Sequence, residues 1–322
     1  MGRESGISDT MALLDGDALT RIRRLELIAR DVVEGFVSGR HRSPAKGFSS
    51  EFAEHREYSP GDNVRDLDWR VYGRTDRYYV KQYIEETNLR ATVLLDASGS
   101  MAYRGTRAQK RDGEILSKFE YARYLAASLA YLLVNQQDAV GLVTFDTAIR
   151  RYIPPRARRT HLRFLLEELN RTVPGGETDL APVFHDIAET LHRRGLVMIV
   201  SDLFGDTASL VKALQHFRFK KHEVVLFHVM AEEELDFPFD RWSQFTDLED
   251  ASNSLSVDPA AIRAAYLKEL REFIQTLKAA CGRMRIDYVQ MSTRTSFDKA
   301  LSHYLVHRKR LASVAGRGGS AR

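Results

Sequence analysis

The sequence predicts an α/β chain built on a mostly parallel, Rossmann-like sheet with helices on both faces, plus a small amino-terminal helix and β appendage. Three observations predict it. From Thr92 onward, short apolar runs alternate with segments of helical periodicity, which is the pattern of βαβ units. Thr92 to Leu95 is apolar and partly β-branched, as a strand buried on both faces requires, and it stops at Asp96 before Ser98-Gly99-Ser100. Leu196 to Ser201 repeats that layout, a buried strand stopping at Asp202.

The chain has 322 residues, 43% hydrophobic and 29% charged, which leaves room for one large domain and an appendage. A formal net charge of +4 is small for this length, and no basic helix is interleaved with aromatics, so nucleic acid is not indicated. One cysteine, Cys281, excludes an intrachain disulfide and suits a reducing compartment; it falls in the helical stripe Ile274, Leu277, Cys281 and reads as a small core residue. Met1 to Asp15 lacks a basic-then-apolar leader layout, and the longest apolar run, Tyr124 to Val134, falls short of the roughly 20 residues a membrane helix needs. A soluble, cytoplasmic protein is expected.

In order, residues 1–16 read as disordered. Asp17 caps a helix whose stripe is Leu19, Ile22, Leu25, Ile28, Val32 and Phe36, with Gly39 closing it. Phe52 to Tyr58 and Tyr78 to Glu86 read as strands, the first closed by Ser59-Pro60-Gly61-Asp62. Residues 17–90 are therefore assigned to the appendage and 91–310 to the main domain, with 311–322 as a frayed tail. Glu120 to Gln136 is a helix apolar nearly all round, hence buried. Ala139 to Phe145 is a strand, and Ile149 to Pro154 an edge strand ended by Pro154-Pro155. Arg156, Arg158, Arg159, His161 and Arg163 open the next helix as a solvated face or a docking patch for an acidic partner.

Pro182 sits in the first turn of a helix running through His192. His185 and His192, seven apart, are not on one face one turn apart and read as ordinary histidines. Thr207 caps a helix to Phe217; Glu223 to Val229 is a strand; Trp242 to Val257 is a hairpin around Asp250 to Ser254. Asp258-Pro259 starts a long helix to Cys281, followed by the strand Ile286 to Met291 and a helix over Ser296 to Arg308.

The chemistry gathers at strand ends, where open α/β sheets build their sites. Asp96, Ser98 and Ser100 offer one carboxylate and two hydroxyls on a tight turn. Gly175-Gly176-Glu177-Thr178-Asp179 adds a glycine-led loop with a hydroxyl, and Asp202 a second carboxylate. Oxygen ligands alone suit a hard cation such as Mg²⁺, which keeps several waters. No phosphate-binding Gly-Lys-Ser/Thr occurs.

These three motifs resemble the metal-ion-dependent adhesion site of the von Willebrand factor A domain. Asp96, Ser98 and Ser100 match its first motif, Thr178 the second and Asp202 the third. A wider run looks like one prokaryotic family, the von Willebrand A-like "domain of unknown function fifty-eight" family. It passes through Ser50-Glu51-Phe52, Tyr58-Ser59-Pro60-Gly61-Asp62, Asp66-Leu67-Asp68-Trp69, Lys81-Gln82-Tyr83, Phe119-Glu120-Tyr121-Ala122, Ser201-Asp202-Leu203 and Ile286-Asp287-Tyr288. The segment Tyr103 to Ser117 departs from that family in being long and charged.

The resemblance implies a protein-binding module whose cation leaves a position for a partner's acidic side chain. It also implies a MoxR-type AAA ATPase as partner, in chaperone-like maturation or assembly of other proteins. The alternative is a Mg²⁺-dependent hydrolase of the phosphoryl-transfer type. Such enzymes want a second acid two residues after the first and a lysine near the leaving oxygen; position 98 is serine, and no lysine follows in a comparable strand-end motif. Glu177 and Asp179 are the only plausible general bases near Thr178, and no catalytic turnover is expected.

Overall fold

In the computed structural model the described residues are 16–40, 55–57, 72–74, 77–81, 89–111, 113–250, 252–297 and 301–302. The expectations for residues 1–15, for the tail and for most of a helix over 296–308 lie outside them. The described residues fall into two units, one holding 16–37 together with everything from Leu89, the other lying between Ser38 and Asn88.

The expected appendage, residues 17–90, is corrected by this division. The first helix, α1 (Gly16–Arg40), buries Ile22, Leu25, Ala29 and Val33 in the core cluster of the larger unit, so through Val37 it belongs with that unit. A stripe of this kind has to be covered, and the main core covers it. What is described of the smaller unit is a short antiparallel pair, β1 (His55–Glu57) with β2 (Tyr79–Lys81), and a stacked Tyr72–Tyr78 ring pair 4.5 Å apart.

The larger unit is built on β3 (Arg90–Asp96), β6 (Ala139–Phe145), β7 (Ile149–Arg156), β8 (Leu196–Ser201), β9 (Glu223–Met230) and β12 (Asp287–Ser292). They form one sheet in the order β12-β9-β8-β3-β6-β7, parallel throughout except for the antiparallel edge strand β7. This is the mostly parallel α/β architecture the alternation predicts. The edge strand departs from expectation by running through Pro154 and Pro155 to Arg156. An edge tolerates prolines because its outer side pairs with nothing. The register shifts opposite Gly141, where a Cβ would lie 2.6 Å from the Ile153 carbonyl oxygen.

Both faces are covered, because successive strand residues point to opposite sides. Met198 and Val200 face α1, α2 (Lys118–Asn135) and α3 (Arg159–Arg171); Val197 and Ile199 face α4 (Leu180–Thr190), α5 (Thr207–Phe219) and α7 (Pro259–Met284). Helix α2 starts in a capping box: the Glu120 N–H donates to Ser117 Oγ (3.1 Å) and the Ser117 N–H to Glu120 Oε2 (2.8 Å). Asp258 caps α7 by accepting from Ala260 N–H, with Pro259 in the first turn. The cap of α5 is Asp206, accepting from Ser209 N–H at 2.8 Å, and not Thr207, which is the first helical residue. Helix α4 ends at Thr190, short of His192. Cys281 is free and fully buried, and burial pushes its thiol up to about 12, as a core residue requires.

From β3 the chain passes to β6 on one side, and returns through β8 on the other. The strand order reverses between β3 and β8, the crevice in which open α/β sheets place their ligands. The charged segment after β3 folds into a small hairpin, β4 (Lys110–Arg111) with β5 (Glu114–Ile115). Beyond β9 come the short helix α6 (Glu232–Asp236) and the expected hairpin, β10 (Ser243–Thr246) with β11 (Ser254–Val257). Among the described residues no helix is long and apolar enough to cross a membrane.

Candidate metal centre

Asp96 is the last residue of β3, and Asp202 follows β8. Pairing of Leu95 with Val200 brings the two strand ends side by side. Both carboxylates are buried, Asp96 completely. Asp96 Oδ1 accepts from the Ser98 N–H at 2.9 Å, which shapes the turn, and Oδ2 accepts from the Ser201 hydroxyl at 2.5 Å. The Ser98 and Ser100 hydroxyls lie 3.1 Å apart, on either side of Gly99. The Thr178 loop is stitched to this turn by two backbone bonds, Gly175 N–H to Ala97 O (3.0 Å) and Gly99 N–H to Gly176 O (2.9 Å). The structure thus gathers Asp96, Ser98, Ser100, the Thr178 loop and Asp202 at one end of the sheet. Immediately after Asp202 the buried Leu203 takes a left-handed φ of 58°, its N–H donating to Ser201 Oγ; such strain in a bulky residue is tolerated where the surroundings over-determine the turn.

Three side chains that sequence reasoning missed complete the site. Lys118, 1% exposed, donates from Nζ to Asp202 Oδ2 (2.8 Å) and to Glu234 Oε1 (2.6 Å). Burial works against its charge, but the two carboxylates outweigh this and hold the ammonium above its usual pKa. Glu234 is fixed in turn by Ala231 N–H at 2.7 Å. Glu249, from the loop joining β10 and β11, accepts both the Thr178 N–H (3.0 Å, Oε2) and the Thr178 hydroxyl (2.7 Å, Oε1). Lys118 stands just before the Phe119-Glu120-Tyr121-Ala122 run and carries no motif of its own; Glu249 is 71 residues from Thr178 and leaves no signal in sequence. Glu177 and Asp179, the expected candidate bases, are both exposed, and Glu249 takes the place beside Thr178.

Charge tells whether a cation fits. Asp96, Asp202 and Glu234 meet one buried ammonium, Lys118, which pairs with the latter two. Asp96 has hydrogen bonds but, among the described residues, no basic partner; burial, then the Asp202 charge, push its carboxyl up to about 7. A carboxylate so placed lacks a compensating positive charge. All the converging donors are hard oxygens. The residues therefore fit a small divalent cation.

The rim is held rather than loose. The Arg107 guanidinium forks onto Asp236 (2.7 and 2.5 Å), while Glu233 accepts from the Arg107 N–H and the Thr106 hydroxyl, so the charged segment is tied to α6. Of the basic run opening α3, His161 is buried against the Val140 carbonyl (3.0 Å) and is no part of a docking face, whereas Arg156, Arg158, Arg159 and Arg163 are exposed. His185 lies near Glu189 and His216 across α4 and α5. Glu189 pairs with His216 (2.8 Å) and Lys220 (2.7 Å), so its carboxylate is engaged in a surface ion-pair network.

Gly99 has no room for a side chain: a Cβ there would strike the Leu248 carbonyl oxygen and come within 3.0 Å of that of Gly176. Gly99→Ala is expected to push the Leu248–Glu249 loop off the site and to cost about 1–3 kcal/mol. Urea denaturation checks this; a variant as stable as the parent contradicts the close packing of that loop.

Residues 54–275, more than half of the chain, match the family described as "Protein of unknown function DUF58". Uncharacterized proteins of Mycobacterium bovis and of two strains of Mycobacterium tuberculosis are each 28% identical over 221 residues, covering 67% of this chain and 66% of theirs. The chain thus spans just under two thirds of those relatives. Among solved structures, the conserved hypothetical protein BatB from Bacteroides thetaiotaomicron is 16% identical with a TM-score of 0.47, over 69% of this chain and 99% of that one. The von Willebrand A domain of SpRpn10 is 11% identical with a TM-score of 0.39, over 67% and 94%. Likenesses this loose carry no functional argument.

Proposed function

This chain belongs to the DUF58 family, and on that premise we propose that it is a metal-dependent protein-binding module of the von Willebrand factor A kind. The observation that carries the reading is the buried Asp96, without a counter-charge among the described residues, beside two hydroxyls and a second carboxylate at the sheet's switch point. Asp96, Ser98, Ser100, Thr178 and Asp202 are the residues to hold Mg²⁺ or a similar divalent cation, directly or through water. Bound there, the cation supplies strong local attraction for an acidic side chain of a partner.

The chain's own groups prepare that position. Lys118 clamps Asp202 in place, Ser201 and the Ser98 amide orient Asp96, and the two backbone bonds keep the Thr178 loop in register with the Asp96 turn. The family resemblance supports a MoxR-type AAA ATPase as the partner and cytoplasmic chaperone-like maturation or assembly of other proteins as the setting.

The site is read as non-catalytic. The sequence argument against a phosphoryl-transfer enzyme needs one correction, since a lysine does stand at the site. Lys118, however, is buried and spent on two carboxylates, and the residue two after Asp96 is still Ser98. Binding to a purified MoxR-type ATPase should therefore require Mg²⁺, be lost on chelation and vanish in Asp96→Ala, while phosphatase, nuclease and ATPase assays of the protein alone stay at background. Metal-dependent hydrolysis abolished by Asp96→Ala overturns this reading in favour of the hydrolase.

A further inference from the structure

The Thr178 hydroxyl, one of the five metal-site groups, does not stand free. It donates to Glu249 Oε1 while its own amide donates to Glu249 Oε2, so both oxygens of one carboxylate are engaged by one residue of the site. Glu249 is not a stray surface side chain swung inward. Its backbone N–H donates to Asp247 Oδ1 at 2.8 Å, which fixes the turn that presents it. The preceding carbonyl, Leu248, packs on Gly99 with no room for a Cβ between them, placing the loop directly on the Ser98-Gly99-Ser100 turn. Asp247 N–H to Asn253 O (2.9 Å) and the β10–β11 pairing close the loop behind it. A carboxylate has thus been delivered, on a preorganised hairpin, to an oxygen cluster whose buried ammonium, Lys118, is already shared between Asp202 and Glu234 and leaves Asp96 without a basic partner among the described residues. A further carboxylate beside Asp96 and Asp202 raises the attraction of this corner for a cation.

We propose that Glu249 is the site's own acidic ligand. It takes the position on the cation that a partner's acidic side chain would take, and such a side chain must displace the hairpin tip to bind. The inference rests on the metal-dependent reading above and adds a regulatory consequence to it: the module is capped until the tip lifts. A threonine hydroxyl can donate to Glu249 and still offer a lone pair to a metal, so the observed bonds and cation binding are compatible.

The test is Mg²⁺ titration calorimetry on the full chain, in chloride buffer with and without acetate, for wild type, Glu249→Ala, Glu249→Gln and Asp96→Asn. Circular dichroism and urea melts establish that each variant is folded. Glu249→Ala and Glu249→Gln should bind Mg²⁺ about 10- to 100-fold more weakly than wild type, the loss typical of an outer or supporting ligand. Acetate should restore affinity in Glu249→Ala, where it fills the vacated position, and leave wild type unchanged. Unaltered affinity in Glu249→Ala overturns the inference. So does a loss that acetate cannot repair, which would make Glu249 a loop brace only, and so does acetate enhancement in wild type, which would show the position already open. If wild type and Asp96→Asn alike fail to bind Mg²⁺, the metal reading itself falls and takes this inference with it.

Discussion

Lys118→Met should be the most damaging single substitution at this site, destabilising the protein by about 3–5 kcal/mol. The side chain is 1% exposed and its ammonium is shared between Asp202 and Glu234 at 2.8 and 2.6 Å. Methionine fills much the same volume, so the loss is electrostatic rather than a cavity. Two carboxylates remain in the interior without their cation, beside a third, Asp96, that has none. Breaking a buried pair from one side costs more than the pair contributes, because the surviving charge stays desolvated. Urea denaturation in chelator should show the full effect. Adding Mg²⁺ should recover more stability in this variant than in wild type, since the cation then answers a larger unmet charge. A variant within 1 kcal/mol of wild type in chelator would mean that Asp202 and Glu234 find water or protons without cost, and that Lys118 is not what holds Asp202.

Asp96→Asn should abolish Mg²⁺ binding while leaving the chelated protein at least as stable as wild type at pH 8. An asparagine Oδ1 still accepts from the Ser98 amide, and its Nδ2 can donate to Ser201 Oγ, so the turn keeps both bonds. What it removes is a buried charge. The Asp96 carboxyl is raised from 3.8 to about 7 by burial and by Asp202, so the folded chain retains a proton that the unfolded chain releases. A raised carboxyl therefore costs stability as pH climbs from about 4 through about 7, in total on the order of 4 kcal/mol by linkage. A bound cation removes that penalty by favouring the ionised form. The gain in melting temperature on adding Mg²⁺ should accordingly be large at pH 8, shrink toward pH 5, and be absent at every pH in Asp96→Asn. A gain that is flat with pH, or that survives the substitution, would dissociate Mg²⁺ from Asp96.

Much of this was legible in the sequence, for a physical reason. Strand and helix periodicity report burial directly, so the alternation from Thr92 onward predicted the sheet and its two covered faces. A strand that ends in an acid followed by small hydroxyl residues is a local statement about a strand end, and Asp96, Ser98, Ser100 and Asp202 do lie at the ends of β3 and β8, with the loop carrying Thr178 bonded to the first of these turns. Errors fell where two local signals compete. Asp206 and Thr207 can each cap a helix, and the cap is whichever oxygen meets the Ser209 amide. The amphipathic stripe of α1 announced a partner without saying which, so its assignment to the appendage failed against a core made of α2 and β3.

The sequence alone determined the fold class, the strand ends and the hard-oxygen character of the candidate site, because each depends on residues within a few positions of one another. Only the tertiary structure decided how that site is charged and closed. Lys118 comes to Asp202 across 84 residues, and Glu249 to Thr178 across 71. Neither pairing follows from periodicity or spacing. Each exists because the strand order reverses between β3 and β8, because α2 starts beside that reversal, and because the β10–β11 hairpin folds back over Gly99.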